Sequence, residues 1–111
     1  MDENAGMIAV YTTFPNEMDA RKIGRELVEE KLAACVNIFP GMISIYRWQD
    51  GIETGNEAAM LIKTRKDMSE QMLAALAAKH SYSVPAIIVF EPQSVAAPYL
   101  EWLFAQTAGF Q

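Results

Sequence analysis

The chain has one cysteine and one histidine among 111 residues. A single cysteine cannot close an internal disulfide, so no disulfide framework holds the fold. A structural zinc site needs four Cys or His ligands, more than Cys35 and His80 supply within one subunit. Positive charge is also scarce, with nine Lys and Arg against fourteen Asp and Glu and a formal net charge of −5. A nucleic-acid binder needs a basic face to release counterions from phosphate, so nucleic acid is disfavoured as a partner, and anionic membrane surfaces with it. No apolar run approaches the ~20 residues that span a bilayer. The opening MDENAG lacks the basic start and apolar segment of a signal peptide. The expectation is a cytoplasmic protein with a flexible N-terminus over 1–6 and a single domain over 7–111, because this length encloses one core but not two.

Hydrophobic residues make up 51% and charged residues 21%, ordinary globular usage. Met7–Thr13 is β-branched and aromatic enough for a strand, and Pro15 stops it. Asn16 is a good N-cap for a helix from Glu17 to Lys31, with Ile23, Leu27 and Val28 on one stripe. Ala34 to Trp48 reads as a long strand bent at Pro40-Gly41, and Asp50-Gly51 as a two-residue hairpin signal. The return strand runs from Ile52 to Thr64 with a soft point at Thr54-Gly55. Asp67 and Glu70 resemble a capping box before a second helix that buries Met68, Met72, Leu73 and Leu76. Ala86–Phe90 is a short buried strand, and Ala97–Thr107 a final helix carrying Leu100, Trp102, Leu103 and Phe104. This order is β-α-β-β-α-β plus a terminal helix, an α+β fold of the ferredoxin-like kind.

The long strand is apolar on both sides. Side chains alternate in a strand, so Ala34, Val36 and Ile38 face one way and Cys35, Asn37 and Phe39 the other. Past Pro40-Gly41, Ile43 and Ile45 alternate with Ser44, Tyr46 and Trp48. One face meets the helices, and a terminal helix of about ten residues is too short to cover the whole of the other. An uncovered apolar face on a small domain marks an interface, so an obligate oligomer is expected.

Few residues carry chemistry. Cys35 is either a thiolate ligand for a soft metal or a small packed side chain. His80 stands where the second helix ends, either as a cation complementing the helix dipole or as a metal ligand. Glu53 and Glu57 are either paired carboxylates or a solvated strand rim. Lys63 closes an apolar run where a charge can face a cleft, with Trp48, Tyr46 and Tyr82 as candidate walls. Nothing local supports a Cys-His nucleophile, and the segment Phe14–Asn16 offers neither a glycine-rich phosphate loop nor the arginine-bearing loop of an acylphosphatase-like enzyme. No Lys/Arg-Gly-aromatic run of an RNA-binding sheet is present either.

Certain stretches, taken in order and spacing, resemble the CutA family of divalent-cation tolerance proteins. They are Lys31–Ile38 (KLAACVNI), Ser44–Trp48 (SIYRW), Glu57, Leu61–Thr64 (LIKT), His80–Pro85 (HSYSVP) and Tyr99–Trp102 (YLEW). The likeness extends from about Met7 to Leu103. It implies a homotrimer of ferredoxin-like subunits whose long strands pair across subunit boundaries, with no established reaction, so no enzyme is expected. It also implies an architecture similar to that of the trimeric PII signalling proteins, which bind small effectors between subunits. Carried onto this sequence, Cys35 and His80 match the groups considered for copper, and Trp48, Lys63 and Tyr82 the positions around the inter-subunit cleft. Where the family often reads His-Pro-Tyr-Glu-x-Pro-Glu, this chain has Ser81, Ser83 and Ala86. The two missing carboxylates argue against a hard, oxygen-ligated cation at that loop and leave soft-metal binding untouched. The expected function is a non-enzymatic role in the response to divalent metal ions, with copper or another divalent metal as ligand and no cofactor required. The alternative is a PII-like sensor of a small anionic effector using Lys63, Trp48 and Tyr82.

Overall fold

The computed structural model describes residues 2–3 and 6–107. In chain order the elements are Asp2–Glu3 (β1), Met7–Phe14 (β2), Glu17–Glu29 (α1), Cys35–Trp48 (β3) and Gly51–Arg65 (β4). A 3-10 turn at Lys66–Met68 leads into Ser69–Lys79 (α2), followed by Ile87–Phe90 (β5), Ser94–Val95 (β6) and Ala97–Gln106 (α3). The main sheet has the order β3-β4-β2-β5, every neighbouring pair antiparallel. This is the expected ferredoxin-like α+β arrangement with an added C-terminal helix.

Alternation along the strands decides which side chains meet which helices. Ile8, Val10 and Phe14 of β2 and Ala58, Met60 and Ile62 of β4 join Ala20, Ile23 and Leu27 of α1 and Met72 and Leu76 of α2 in one core. Gly24 lets α1 lie close, since a Cβ there would stand 2.9 Å from Val36 Cγ2 and 3.0 Å from Met60 Cε. On the opposite face, Leu100 and Leu103 of α3 pack with Met7 and Ala34, covering one end of the sheet.

Local chemistry sets the ends of α1. Asn16 Oδ1 accepts the Asp19 N–H at 2.8 Å, the expected N-cap. The helix stops at Glu29, short of the expected Lys31, because Lys31 turns left-handed at φ 62°. The Leu32 and Ala33 N–H groups then both donate to Leu27 O, swinging the chain into β3.

Several expectations need correction. The hairpin turns at Gln49-Asp50, one residue early, because Trp48 pairs directly with Gly51 and Gln49 takes the positive φ of 55°. No soft point exists at Thr54-Gly55, where pairing with Ile45 and Ser44 is unbroken; the irregularity lies between Phe39 and Met42, at the expected Pro40-Gly41 bend. Asp67 does not cap α2, since its carboxylate holds the Arg65 guanidinium at 3.0 and 2.9 Å. β5 is not buried within the chain: Ile88, Val89 and Phe90 are 47%, 42% and 53% exposed because β2 is its only described partner. In the N-terminal stretch expected to be flexible, residues 1, 4 and 5 lie outside the described residues, while Asp2–Glu3 pairs with Ser94–Val95.

β2 accompanies β4 only from Met7↔Arg65 to Phe14↔Ala58. Beyond that point β3 and β4 continue as a two-stranded arm with only each other for described partners. The arm stretches the molecule to 46 × 26 × 22 Å and raises its radius of gyration to 14.9 Å. A compact chain of this length would have about 13 Å.

Candidate functional site

His80 follows α2 directly, and its extended backbone (ψ 139°) turns the chain back towards β2. Its ring stacks on Phe14 with centroids 4.5 Å apart. Nδ1 accepts the Tyr82 backbone N–H at 3.2 Å, so the proton of the neutral ring sits on Nε2, which donates to Thr12 Oγ1 at 3.0 Å. Burial pushes the His80 pKa down, opposed by a hydrogen bond to the Thr13 backbone. The ring is therefore a neutral, doubly bonded group rather than a cation on the end of α2, and a metal would have to displace one of these bonds to reach a nitrogen lone pair.

Tyr82 carries the network onward by donating its hydroxyl to Glu57 Oε2 at 2.7 Å. Burial, then the hydrogen bond and negative charge of Glu57, raise the Tyr82 pKa far above the usual phenol range. Glu57 Oε1 accepts from Ser44 Oγ. Burial alone would raise the Glu57 pKa, but hydroxyl donors from Ser44, Tyr82 and Thr13 outweigh it and hold the carboxyl below its ordinary value. Glu57 is thus neither half of a carboxylate pair nor a free rim charge, whereas Glu53 is exposed opposite Tyr46 on the arm.

Cys35 lies elsewhere. It opens β3, pairs in register with Lys63 on β4, and its Sγ approaches Asn37 Oδ1 at 3.9 Å. Cys35 and Lys63 alternate with core residues Val36 and Ile62, which puts them on the α3 side of the sheet, while His80 meets Thr12 and Phe14 on the α1 and α2 side. The two candidate copper ligands are not brought together in one chain, and among the described residues no cluster of three or more His, Cys, Asp or Glu could hold a metal ion.

The three cleft candidates are also separate within the chain. Trp48 is 59% exposed at the tip of the arm, and Tyr82 is bonded to Glu57 at the arm's root. The Lys63 ammonium sits 5.7 Å above the Tyr99 ring, which leans on Trp102 at 5.6 Å. Tyr99 and Trp102 are therefore the aromatic neighbours of Lys63; the YLEW motif was the signal for them, and their i, i+3 spacing places them on one helix face. An open groove of about 670 Å³ runs between α1 and the outer edge of β3, lined by Arg21, Lys22, Arg25, Val28, Val36 and Ile38 among others. None of the expected site residues lines it.

Residues 8–106 match the family described as CutA1 divalent ion tolerance protein. The divalent-cation tolerance protein CutA of Thermus thermophilus is 42% identical over 98 residues, covering 88% of this chain and 95% of its own length. The chloroplastic protein CutA of Arabidopsis thaliana is 41% identical over 96 residues, covering 86% of this chain and 53% of its own length. The chain thus spans about half the length of that plant relative. The crystal structure of the divalent ion tolerance protein CutA1 from Ehrlichia chaffeensis superposes with a TM-score of 0.91 at 36% identity, covering 93% of this chain and 96% of that one.

Proposed function

Since the chain belongs to the CutA1 divalent ion tolerance family, we propose that it acts without catalysis, as a homotrimer, in the response to divalent metal ions, and that Cys35 binds copper. The observation that carries the oligomer is the arm. Ile43, Ile45, Trp48 and Ile52 are 65%, 71%, 59% and 59% exposed, and the outer edges of β3 and β5 pair with no other described strand. Apolar side chains and open edges of this kind call for a partner, and strand-to-strand contact between copies satisfies both.

The metal reading has to fit the donor set. Within one chain Cys35 has no second soft ligand beside it, so a complete site needs thiolates from more than one copy or a Cu(I) ion content with few ligands. The half-buried Cys35 lies on the α3 face of the sheet, away from α1 and α2. Anaerobic titration of the reduced protein with Cu(I) against a competing chelator, in parallel with Cys35→Ser, tests it. Binding lost in the variant supports the reading. Binding no tighter than the chelator makes Cys35 a packing residue.

A second reading rests on Lys63. No carboxylate of the described residues forms an ion pair with it, and its ammonium is held only over the Tyr99 face. A PII-like module would use that cation for a small anionic effector between subunits, with Trp48 and Tyr82 contributed across the interface. Lys63→Ala would abolish such binding and spare copper, whereas Cys35→Ser would do the reverse. The proposed compartment is the cytoplasm; no helix of the described residues is long and apolar enough to cross a membrane, and cell fractionation checks the placement.

A further inference from the structure

We infer that Tyr82, seated by His80, is a clasp that fastens the β3–β4 arm at its root and sets the angle at which the arm leaves the body. The root is well defined. Phe14↔Ala58 is the last pair between β2 and β4, and Glu57 is the next residue out. On the facing strand the register breaks between Phe39 and Met42, and Met42 is the residue opposite Glu57. Here a four-stranded sheet becomes a two-stranded ribbon. Such ribbons twist strongly and are marginal alone, so nothing in the arm's own ladder sets its direction.

The Glu57 carboxylate supplies what the ladder does not. One oxygen takes the hydroxyl of Ser44 on β3 and the other that of Tyr82 at 2.7 Å, so a single side chain ties both strands of the arm to the segment after α2. Hydrogen bonds to a carboxylate are stronger than neutral ones, and this one is partly shielded from water. The segment is anchored in turn: the His80 ring lies on Phe14, bonds Thr12 and receives the Tyr82 backbone N–H, so Tyr82 cannot drift without breaking its bond to a ring that β2 holds in place. The Tyr11 hydroxyl adds a weaker tie across the root, 3.6 Å from Met42 Sδ. Thr12, Phe14, His80, Tyr82, Glu57 and Ser44 form one connected path from the body to the arm. Breaking the Tyr82–Glu57 bond removes the one hydrogen bond in this path between the arm and the segment after α2. This role is independent of the proposed metal chemistry.

Amide hydrogen exchange of the full chain tests it, in wild type, Tyr82→Phe, Ser44→Ala and His80→Gln, at one protein concentration with sedimentation alongside to separate any change in assembly. Tyr82→Phe is expected to speed exchange in 42–48 and 51–57 by about tenfold, with protection in 8–14 and 58–64 retained. Ser44→Ala removes only a bond between the arm's own two strands and is expected to raise arm exchange less than Tyr82→Phe does, while His80→Gln, which unseats Tyr82, carries the test if Tyr82→Phe does not fold. Arm exchange unchanged in the folded variants, or raised equally through the body, overturns the clasp.

Discussion

Body and arm are built from the same two strands, and solvent treats them in opposite ways. In the body, Ala58, Met60 and Ile62 of β4 are 1%, 0% and 0% exposed beneath two helices, while further out Ile52 of the same strand is 59% exposed. Composition accounts for part of this, since the outer half of β4, Gly51–Glu57, carries Ile52 alone among apolar residues, but on β3 the arm's Ile43, Ile45 and Trp48 are as apolar as Val36 and Ile38 in the body. The rest is coverage: the body finds its second layer within the chain, and the arm does not. The lesson is that an alternating strand specifies a face to be buried without specifying which molecule buries it.

The largest effect expected from breaking this contrast is in the body. Leu27→Ala should cost about 3–5 kcal/mol in denaturant unfolding, because Leu27 is fully buried and α1 cannot collapse into the space. Trp48→Ala should leave the fold intact and weaken assembly by about 2 kcal/mol or more, read as a shift in subunit dissociation by sedimentation. Equal loss of folding stability in Trp48→Ala would make the tip part of the body after all.

Acid should act next, and at the root between the two regions. The folded pKa of His80 lies below its unfolded value of 6.5, so as pH falls through that value the unfolded chain takes up the proton first and stability declines. The folded pKa of Glu57 lies below 4.5, so its contribution is present above that pH and lost as pH falls through the folded value. Thermal melts from pH 7.5 to 5 should fall in wild type and flatten in His80→Gln. The smallest effect should come from the outer face of α1. Arg25→Ala should change unfolding stability by less than about 0.5 kcal/mol, because the Arg25–Glu29 pair is 80% and 60% exposed.

The body was more legible in the sequence than the site. Asn16, the Ile23 and Leu27 stripe, and the Met68, Met72 and Leu76 stripe announce their helices through local spacing, and the two-faced apolar strand announces the apolar face that the arm leaves exposed. What local signals missed is what register and competition decide. Gly51 looks like a turn residue, but pairing with Trp48 draws it into the ladder. Asp67 looks like a cap, but Arg65 two residues earlier takes its carboxylate in bidentate fashion. β5 looks buried because it is apolar, and only its place at the sheet edge leaves it exposed. Glu57 reads as a rim charge until the register sets it beside Ser44 and the loop after α2 delivers Tyr82. His80 and Tyr82 are singled out by sequence, but the bonds that tie His80 to Thr12 and Tyr82 to Glu57 run between residues 68 and 25 positions apart.

The open outer edges of β3 and β5 bear on the protein's biogenesis. A newly made chain of the proposed oligomer presents two strand edges and the arm's apolar side chains before it assembles, and each is a template for promiscuous pairing. The hazard grows with time spent alone and with the local density of other unfinished chains. For this protein the yield of functional material should therefore depend on the pace of synthesis and on chaperone supply as well as on folding stability, with losses appearing as aggregates rather than as unfolded monomer.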